Sequence, residues 1–311
     1  MKRYRVILRP LSALRTPLYA DTLWGHICWG IVWHEGEEGL RKFFESYDQG
    51  RPALLLSDAF PHGYLPMPVL KKEMKTENSD VLKKQVETRK KIKKMQYIPL
   101  EWFQERLSLS MIINKLETNS SSGSYVMLDF SQEETYTHNV VNRMTGTTAD
   151  NSLYSVEERW YKPDVSLDVY VLTEEPKERI ETLFGWGLEN GFGADASTGK
   201  GRVVVEKIEE VADWPVEGNR YMALAHFVPS YNEGIEGLRA DIFVRHGKVG
   251  GVFGQYGNPF KKPIVMYTSG ATMKLSQPTE WVGTLLKNIH REEKIRHYAC
   301  APVIPYQEDH E

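Results

Sequence analysis

The chain predicts an α+β fold of two ferredoxin-like (RRM-like) domains with an inserted hairpin or thumb and a glycine-rich loop. A strand, helix, strand succession occurs twice, once near each end of the first two-thirds of the chain, and a long weakly apolar excursion separates the two copies. In the first copy, Tyr4 to Pro10 has strand composition and Pro10 ends it. Asp21 is a suitable N-cap for a helix whose apolar positions Leu23, Trp24, Ile27, Cys28 and Ile31 recur at three-to-four spacing through Trp33. A short helix over 40–47 and a buried strand over 53–57 follow. The second copy is a strand over 166–172, a helix over 175–189 and a strand over 202–208. Further strands are expected over 221–228, 240–245, 264–267 and 296–301. The predicted division is an N-terminal domain, 1–160, carrying a basic insertion (71–94) and the thumb (136–155), and a C-terminal domain, 161–311, carrying the glycine loop (191–202).

The bulk numbers set the class. A chain of 311 residues with 41% hydrophobic content can fill two domains of about 150 residues each. No apolar run is long enough to span a bilayer and the N-terminus has no apolar leader, so a cytoplasmic protein is expected, without membrane contact. The only cysteines, Cys28 and Cys300, exclude a disulfide framework and a four-cysteine zinc site, and both read as core thiols. A net charge of −3 excludes a protein that coats nucleic acid everywhere but leaves room for a local basic groove. Between Lys71 and Lys94, ten cations face four carboxylates. That surplus fits either a specific anionic partner or a solvated, lysine-rich helix or insertion.

Residues 191–202, Gly-Phe-Gly-Ala-Asp-Ala-Ser-Thr-Gly-Lys-Gly-Arg, carry the most chemical information. Gly191, Gly193, Gly199 and Gly201 let a ligand approach the main chain, where successive N–H groups can form an anion-binding concavity. Ser197 and Thr198 add hydroxyl donors, Lys200 and Arg202 add charge, and Asp195 is suited to bracing the loop. Two familiar phosphate motifs are excluded by counting. Five residues separate Gly193 from Gly199 where a Walker A loop has four, and Ala196 stands where a dinucleotide fingerprint needs glycine. Both of those motifs also lead from strand to helix, whereas this loop leads from helix to strand.

The thumb over 136–155 holds residues suited to stacking on, bonding to or wedging between bases: Tyr136, His138, Asn139, Asn142, Arg143, Met144, Thr145 and Thr147. Its bland alternative is a surface loop. The stretch Thr118 to Ser124 is a second polar loop.

Four stretches in this order carry a resemblance: Asp21-Thr22-Leu23-Trp24-Gly25, Asp58-Ala59-Phe60-Pro61, His138-Asn139 through Arg143-Met144-Thr145-Gly146-Thr147-Thr148, and Gly191–Arg202. Together they resemble the RAMP superfamily of CRISPR interference proteins over almost the whole chain. Within it they are most similar to the subunit that caps the 5′ end of the guide RNA in type III-A (Csm) effector complexes. The resemblance implies two ferredoxin-like domains, no catalytic activity and no cofactor or metal. It also implies a cleft for the repeat-derived 5′ tag of the guide CRISPR RNA, and two protein partners, the large polymerase-like subunit and the backbone RAMP subunit. It assigns RNA contacts to the loop at Gly191, Gly193, Ser197, Thr198, Gly199, Lys200, Gly201 and Arg202. In the thumb it points to His138, Asn139, Asn142, Arg143, Met144 and Thr145, with Met144 as wedge. His26 could face the cleft, although a structural histidine is the better reading. The insertion 71–94 has no counterpart in the resemblance.

Three alternatives remain at this stage. One is a metal-independent endoribonuclease of the same superfamily that processes precursor guide RNA, with His26 or His138 as base and Lys200 stabilising charge. Another is a backbone subunit cutting target RNA through Asp21 or Asp195 and a metal. The third is a structural protein docking through 259–266 or 298–306, stretches that otherwise read as core strand.

Overall fold

A computed structural model describes residues 1–70, 95–103, 107, 111, 112, 114, 115, 130–212, 214, 215, 217–254 and 258–308. The basic segment 71–94 and the polar loop 118–124 lie outside the described residues. The strands are β1 (Lys2–Pro10), β2 (Leu55–Leu56), β3 (Phe60–Pro61), β4 (Tyr64–Pro66), β5 (Tyr97–Pro99), β6 (Ser131–His138), β7 (Tyr154–Tyr161), β8 (Leu167–Thr173), β9 (Val203–Glu210), β10 (Arg220–Ala223), β11 (Ile235–Arg239), β12 (Ile242–Arg245), β13 (Ile264–Tyr267), β14 (Thr272–Leu275), β15 (Trp281–Leu286) and β16 (His297–Tyr306). The helices are α1 (Ala20–Asp48), α2 (Leu100–Phe103) and α3 (Lys177–Leu188). The fold is therefore mixed α/β and mostly strands.

The first sheet runs β2-β8-β1-β9, with β3 also on β8. Its β1 and β8 pair antiparallel from Lys2↔Thr173 to Leu8↔Leu167, and β1 pairs antiparallel with β9 on its other side. With α1 between β1 and β2 and α3 between β8 and β9, this is one β-α-β-β-α-β unit of the ferredoxin-like kind. The two strand, helix, strand copies are thus the two halves of a single unit. The boundary expected at residue 160 cuts this sheet, because β1 needs β8 and β9 to complete its ladders. The second sheet, β11-β14-β10-β16-β15, contains no α-helix among the described residues of its connections, so the helix-backed pattern expected there is not what these residues form.

Alternation builds the core. Tyr4, Val6 and Leu8 of β1 are buried with Leu23, Trp24, Ile27 and Ile31 of α1 and Ile180, Leu183 and Phe184 of α3. The two helices touch closely: a Cβ on Gly30 would stand 2.6 Å from that of Trp186, and one on Gly187 3.0 Å from Ile27. All ten residues of β16 are buried, which is why that strand reads as continuously apolar. Tyr298 on β16 stacks on Trp24 and exchanges hydrogen bonds with the main chain of Leu56, joining the two sheets. Cys28 and Cys300 are buried and unpaired, as expected.

Helix α1 departs from expectation twice. The helices predicted over 21–33 and 40–47 meet without a loop, kinked at Gly36, whose φ is 74°. Asp21 is not the N-cap: the helix begins at Ala20, and the Ala20 N–H donates to Asp58 Oδ1 at 2.8 Å from another segment. Asp58 Oδ2 pairs at 2.7 Å with His226 Nδ1. Asp21 is instead buried, with Oδ2 2.6 Å from Arg245 Nε and 3.6 Å from His297 Nε2. Burial alone would raise the Asp21 pKa, but Arg245 and His297 outweigh it and hold the carboxyl below its ordinary value. No helix among the described residues is long and apolar enough to cross a membrane.

Candidate nucleic-acid interface

The glycine loop connects α3 to β9 at the edge of the first sheet, and the turn after β1 braces it. Gly201 N–H donates to Ala13 O (2.8 Å), Arg202 N–H to Ser12 Oγ (2.9 Å) and Ala194 N–H to Thr16 Oγ1 (3.0 Å). Gly193 N–H donates to His26 Nε2 at 3.0 Å. Thr198, Gly199 and Lys200 donate their N–H groups to Asp195 or Ala196 carbonyls within the loop, and the Thr198 hydroxyl also bonds Asp195 O. The expectation of an open cradle of N–H donors is thereby corrected: a turn of four glycines needs internal acceptors to hold one shape, and these absorb the donors. Asp195 braces the loop through an ion pair with Arg15.

Two glycines are required by this packing. Gly193 lies at φ 74° with the Thr16 side chain 2.5 Å from where its Cβ would be, and Gly201 lies at φ 70° with Phe192 O 2.0 Å away. Gly191 and Gly199 complete the turn, leaving Ser197 and Arg202 exposed, with no ion pair to Arg202 among the described residues.

His26 is a satisfied structural histidine and leaves the set of RNA contacts. Its ring packs 5.0 Å from that of Phe192, and burial depresses its pKa to about 4. Because the folded pKa lies below the ordinary value near 6.5, the unfolded chain binds the proton more readily, and stability is lost as pH falls through that window. The expected loss is about 2 kcal/mol between pH 7 and pH 5. It is read from urea melts at several pH values, and His26→Gln, which keeps an acceptor for Gly193 but cannot titrate, should flatten the profile. Equal profiles for the two proteins would refute this assignment.

The inserted excursion is a hairpin. Strands β6 and β7 pair from Ser131↔Tyr161 to His138↔Tyr154, and its base is tied to the sheet by reciprocal main-chain bonds of 2.9 Å between Leu14 and Arg159. One face of the stem carries Trp160, Glu158, Val156 and Tyr154 opposite Gln132, Glu134, Tyr136 and His138. That face meets the glycine loop. Lys200 Nζ donates to Glu158 Oε2 at 2.6 Å, and lies 5.1 Å and 5.8 Å from the ring centres of Trp160 and Tyr136. Glu158 is only 4% exposed. Lys200 is therefore the joint between loop and hairpin rather than a free cation, a role no local pattern could show because the partners are 42 residues apart.

At the tip, Asn142 O accepts Gly146 N–H and Asn142 Oδ1 accepts Met144 N–H, at 2.8 and 2.9 Å. Asn139 Nδ2 donates to Thr148 Oγ1, the Thr145 and Thr147 hydroxyls bond each other, and His138 stacks on Tyr154 at 5.5 Å. These polar side chains shape the turn. What they hold outward is Met144, 96% exposed, and Arg143 beside it, which has no partner among the described residues. The structure thus brings Lys200 and the hairpin base together, places Arg143, Met144 and the exposed donors Ser197 and Arg202 at the surface, and removes His26. The loop itself, through Gly191, Gly199, Lys200 and Arg202, lines a groove of about 940 Å³ between α3 and β9, whose other charged residues are Lys207, Glu181, Glu189 and Glu206.

A β-α-β-β-α-β sheet with an inserted hairpin seated on a helix-to-strand glycine loop defines the class of fold. Solved structures narrow the likeness: the chain shares its fold with Csm4 of type III-A CRISPR complexes. It aligns with TM-score 0.61 and 15% identity, covering 100% of both chains, to a structure of a Csm1-Csm4 cassette in complex with pppApA. It aligns with TM-score 0.59 and 14% identity, over 99% of this chain and 100% of the other, to a cassette in complex with cA4. A Csm3-Csm4 subcomplex of the type III-A interference complex gives TM-score 0.58 and 13% identity, over 98% of this chain and 99% of the other. No protein-family model and no curated protein matches the sequence.

Proposed function

We propose that this chain is a non-catalytic RNA-binding subunit of a type III-A CRISPR interference complex, capping the 5′ tag of the guide RNA and bridging a large polymerase-like subunit to a backbone RAMP subunit. The observation that carries the reading is the Lys200–Glu158 joint, which fixes an exposed Arg and Met tip and an exposed Ser and Arg loop on one frame. The full-length likeness to Csm4 chains solved with Csm1 or with Csm3 supports the two protein partners. Splayed single-stranded RNA is gripped through phosphates and stacking, so Arg202, Ser197 and Arg143 are assigned to phosphate or sugar, and Met144 to the edge of a base stack. The Asn139, Asn142 and Thr145 side chains act by shaping the tip that presents these groups.

The test is binding of a guide RNA bearing its 5′ tag across a salt series. Arg143→Ala and Arg202→Ala should each weaken binding about tenfold and lower the salt slope by about one. Unchanged affinity and slope in both variants would end the reading. On the same gels end-labelled guide or precursor RNA should stay intact. Two observations argue against the nuclease alternative: the Nε2 of His26 accepts the Gly193 N–H, and His138 is stacked on Tyr154 with no carboxylate partner among the described residues. Asp21 and Asp195, candidates for a metal-dependent cut, are each paired with an arginine.

A further inference from the structure

Strand β9 is the outer strand of the first sheet and, among the described residues, pairs on one side only, with β1. Its other side is an open edge. Leu11 N–H donates to Arg202 O next to the register pairs Pro10↔Val203, Arg9↔Val204 and Leu8↔Val205, and the alternation of an antiparallel ladder then turns the main-chain groups of Val203 and Val205 outward. The groove lined by the glycine loop touches every residue from 203 to 208, so it follows this edge rather than one face of the sheet. Proteins blunt such edges with charges and bulges, and the far half of β9 has both, a register shift and then Lys207, Glu209 and Glu210. Val203-Val204-Val205 has neither.

The facing helix is cut back at the same place. Gly187 of α3 is required by Ile27, 3.0 Å from its Cβ position, but Gly185 has nothing within 4 Å of its own and lines the groove. A glycine that weakens a helix interior and packs on nothing in its own chain leaves room for an occupant. The groove as a whole does not select a polyanion: Lys200, Arg202 and Lys207 are balanced by Glu181, Glu189 and Glu206, and Lys200 is held by Glu158. The ring in its wall, Phe184, is fully buried and offers a base no platform.

The edge fits a second copy of itself. About a two-fold axis through Val204, Val203 of one copy pairs with Val205 of the other, both at outward-facing positions, and a shift of one residue would set outward groups against inward ones. In that register Arg202, which has no ion pair among the described residues, stands opposite Glu206 of the second copy, where it joins Arg9. We propose that this edge is an interface between two copies of the free chain, joined as one continuous antiparallel sheet through Val203 to Val205. So short a ladder makes a small interface, and the dimer should form only as concentration rises. Guide RNA held at Arg202 would compete with it.

The experiment is sedimentation velocity on the full chain, free of RNA, over a concentration series. The wild-type chain should pass from monomer to dimer. Gly185→Leu should raise the dissociation constant at least about tenfold without lowering the thermal midpoint, since leucine suits a helix interior and its Cβ meets no atom there. Val204→Cys should cross-link to its own copy under mild oxidation, because residues facing each other at a non-bonded antiparallel position lie about 4.5 Å apart, within disulfide reach. Lys207→Cys, exposed but away from the axis, should not, and the native Cys28 and Cys300 are buried. A wild-type chain that stays monomeric at every concentration would overturn the interface, as would a dimer that Gly185→Leu leaves intact and Val204→Cys fails to lock. Loss of guide-RNA binding in a Gly185→Leu chain whose oligomeric state matches wild type would assign the groove to RNA and overturn it too.

Discussion

Gly201→Ala should cost about 4 kcal/mol of stability and abolish tag binding under conditions where Gly199→Ala costs about 1 kcal/mol. The two glycines sit two residues apart at similar backbone angles, φ 70° and 90°, so the intrinsic penalty for placing a Cβ in the left-handed region is shared. Surroundings differ. Nothing lies within 4 Å of a Cβ on Gly199, whereas a Cβ on Gly201 would meet Phe192 O at 2.0 Å and Phe192 N at 3.0 Å. Those atoms are main chain and cannot rotate away. Relief means breaking the Phe192 N–H to Gly201 O bond of 2.7 Å, which closes the loop on itself, and then the Gly201 N–H to Ala13 O bond, which fastens it to the turn after β1. Phe192 itself is fully buried against His26, so the disturbance reaches the core. Urea denaturation of both variants checks the difference. A Gly201→Ala protein within about 1 kcal/mol of Gly199→Ala would show that the loop has slack this geometry does not contain.

How much of this was legible in the residues depends on the range over which each feature is set. The strand over 264–267 and the apolar stripe of α1 follow from spacing alone, and the structure places them where spacing puts them. The glycine loop was legible as a loop, since its composition permits little else. Its chemistry was not, because four of its donors are absorbed by Ala13, Ser12, Thr16 and His26, which come from a turn and a helix far away in the chain. Asp21 misled for the same reason. Aspartate before an apolar run is a sound cap signal, but Asp58 reaches the helix start first and leaves Asp21 to Arg245. The division into two like halves failed at the level of topology: two β-α-β patterns in sequence are equally consistent with two sheets or with one interleaved sheet, and only strand pairing decides.

Lys200→Met should destabilise the chain by about 3 kcal/mol and weaken tag binding, whereas Glu158→Gln should cost about 1 kcal/mol. The asymmetry follows from burial. Lys200 is a flexible stem whose ammonium is partly open to water, so without Glu158 it can swing outward and keep its hydration. Glu158 is almost fully enclosed on a stem strand beside Trp160, Tyr136 and a second carboxylate, Glu134, directly opposite it. Without Lys200 its charge has neither a counter-ion nor water, and the two facing glutamates repel. Release of strain would come through the hairpin lifting from the loop, held then at its base by the Leu14 and Arg159 main-chain bonds and by Tyr161 against the core. The binding effect should therefore appear as a lost advantage of having tip and loop on one rigid frame, with the salt slope preserved because Lys200 is not itself a phosphate contact. The double variant Lys200→Met with Glu158→Gln should recover most of the stability, since a neutral amide replaces the stranded charge. If Lys200→Met alone were no more costly than Glu158→Gln, or if it lowered the salt slope by one, the lysine would belong to the RNA and not to the joint.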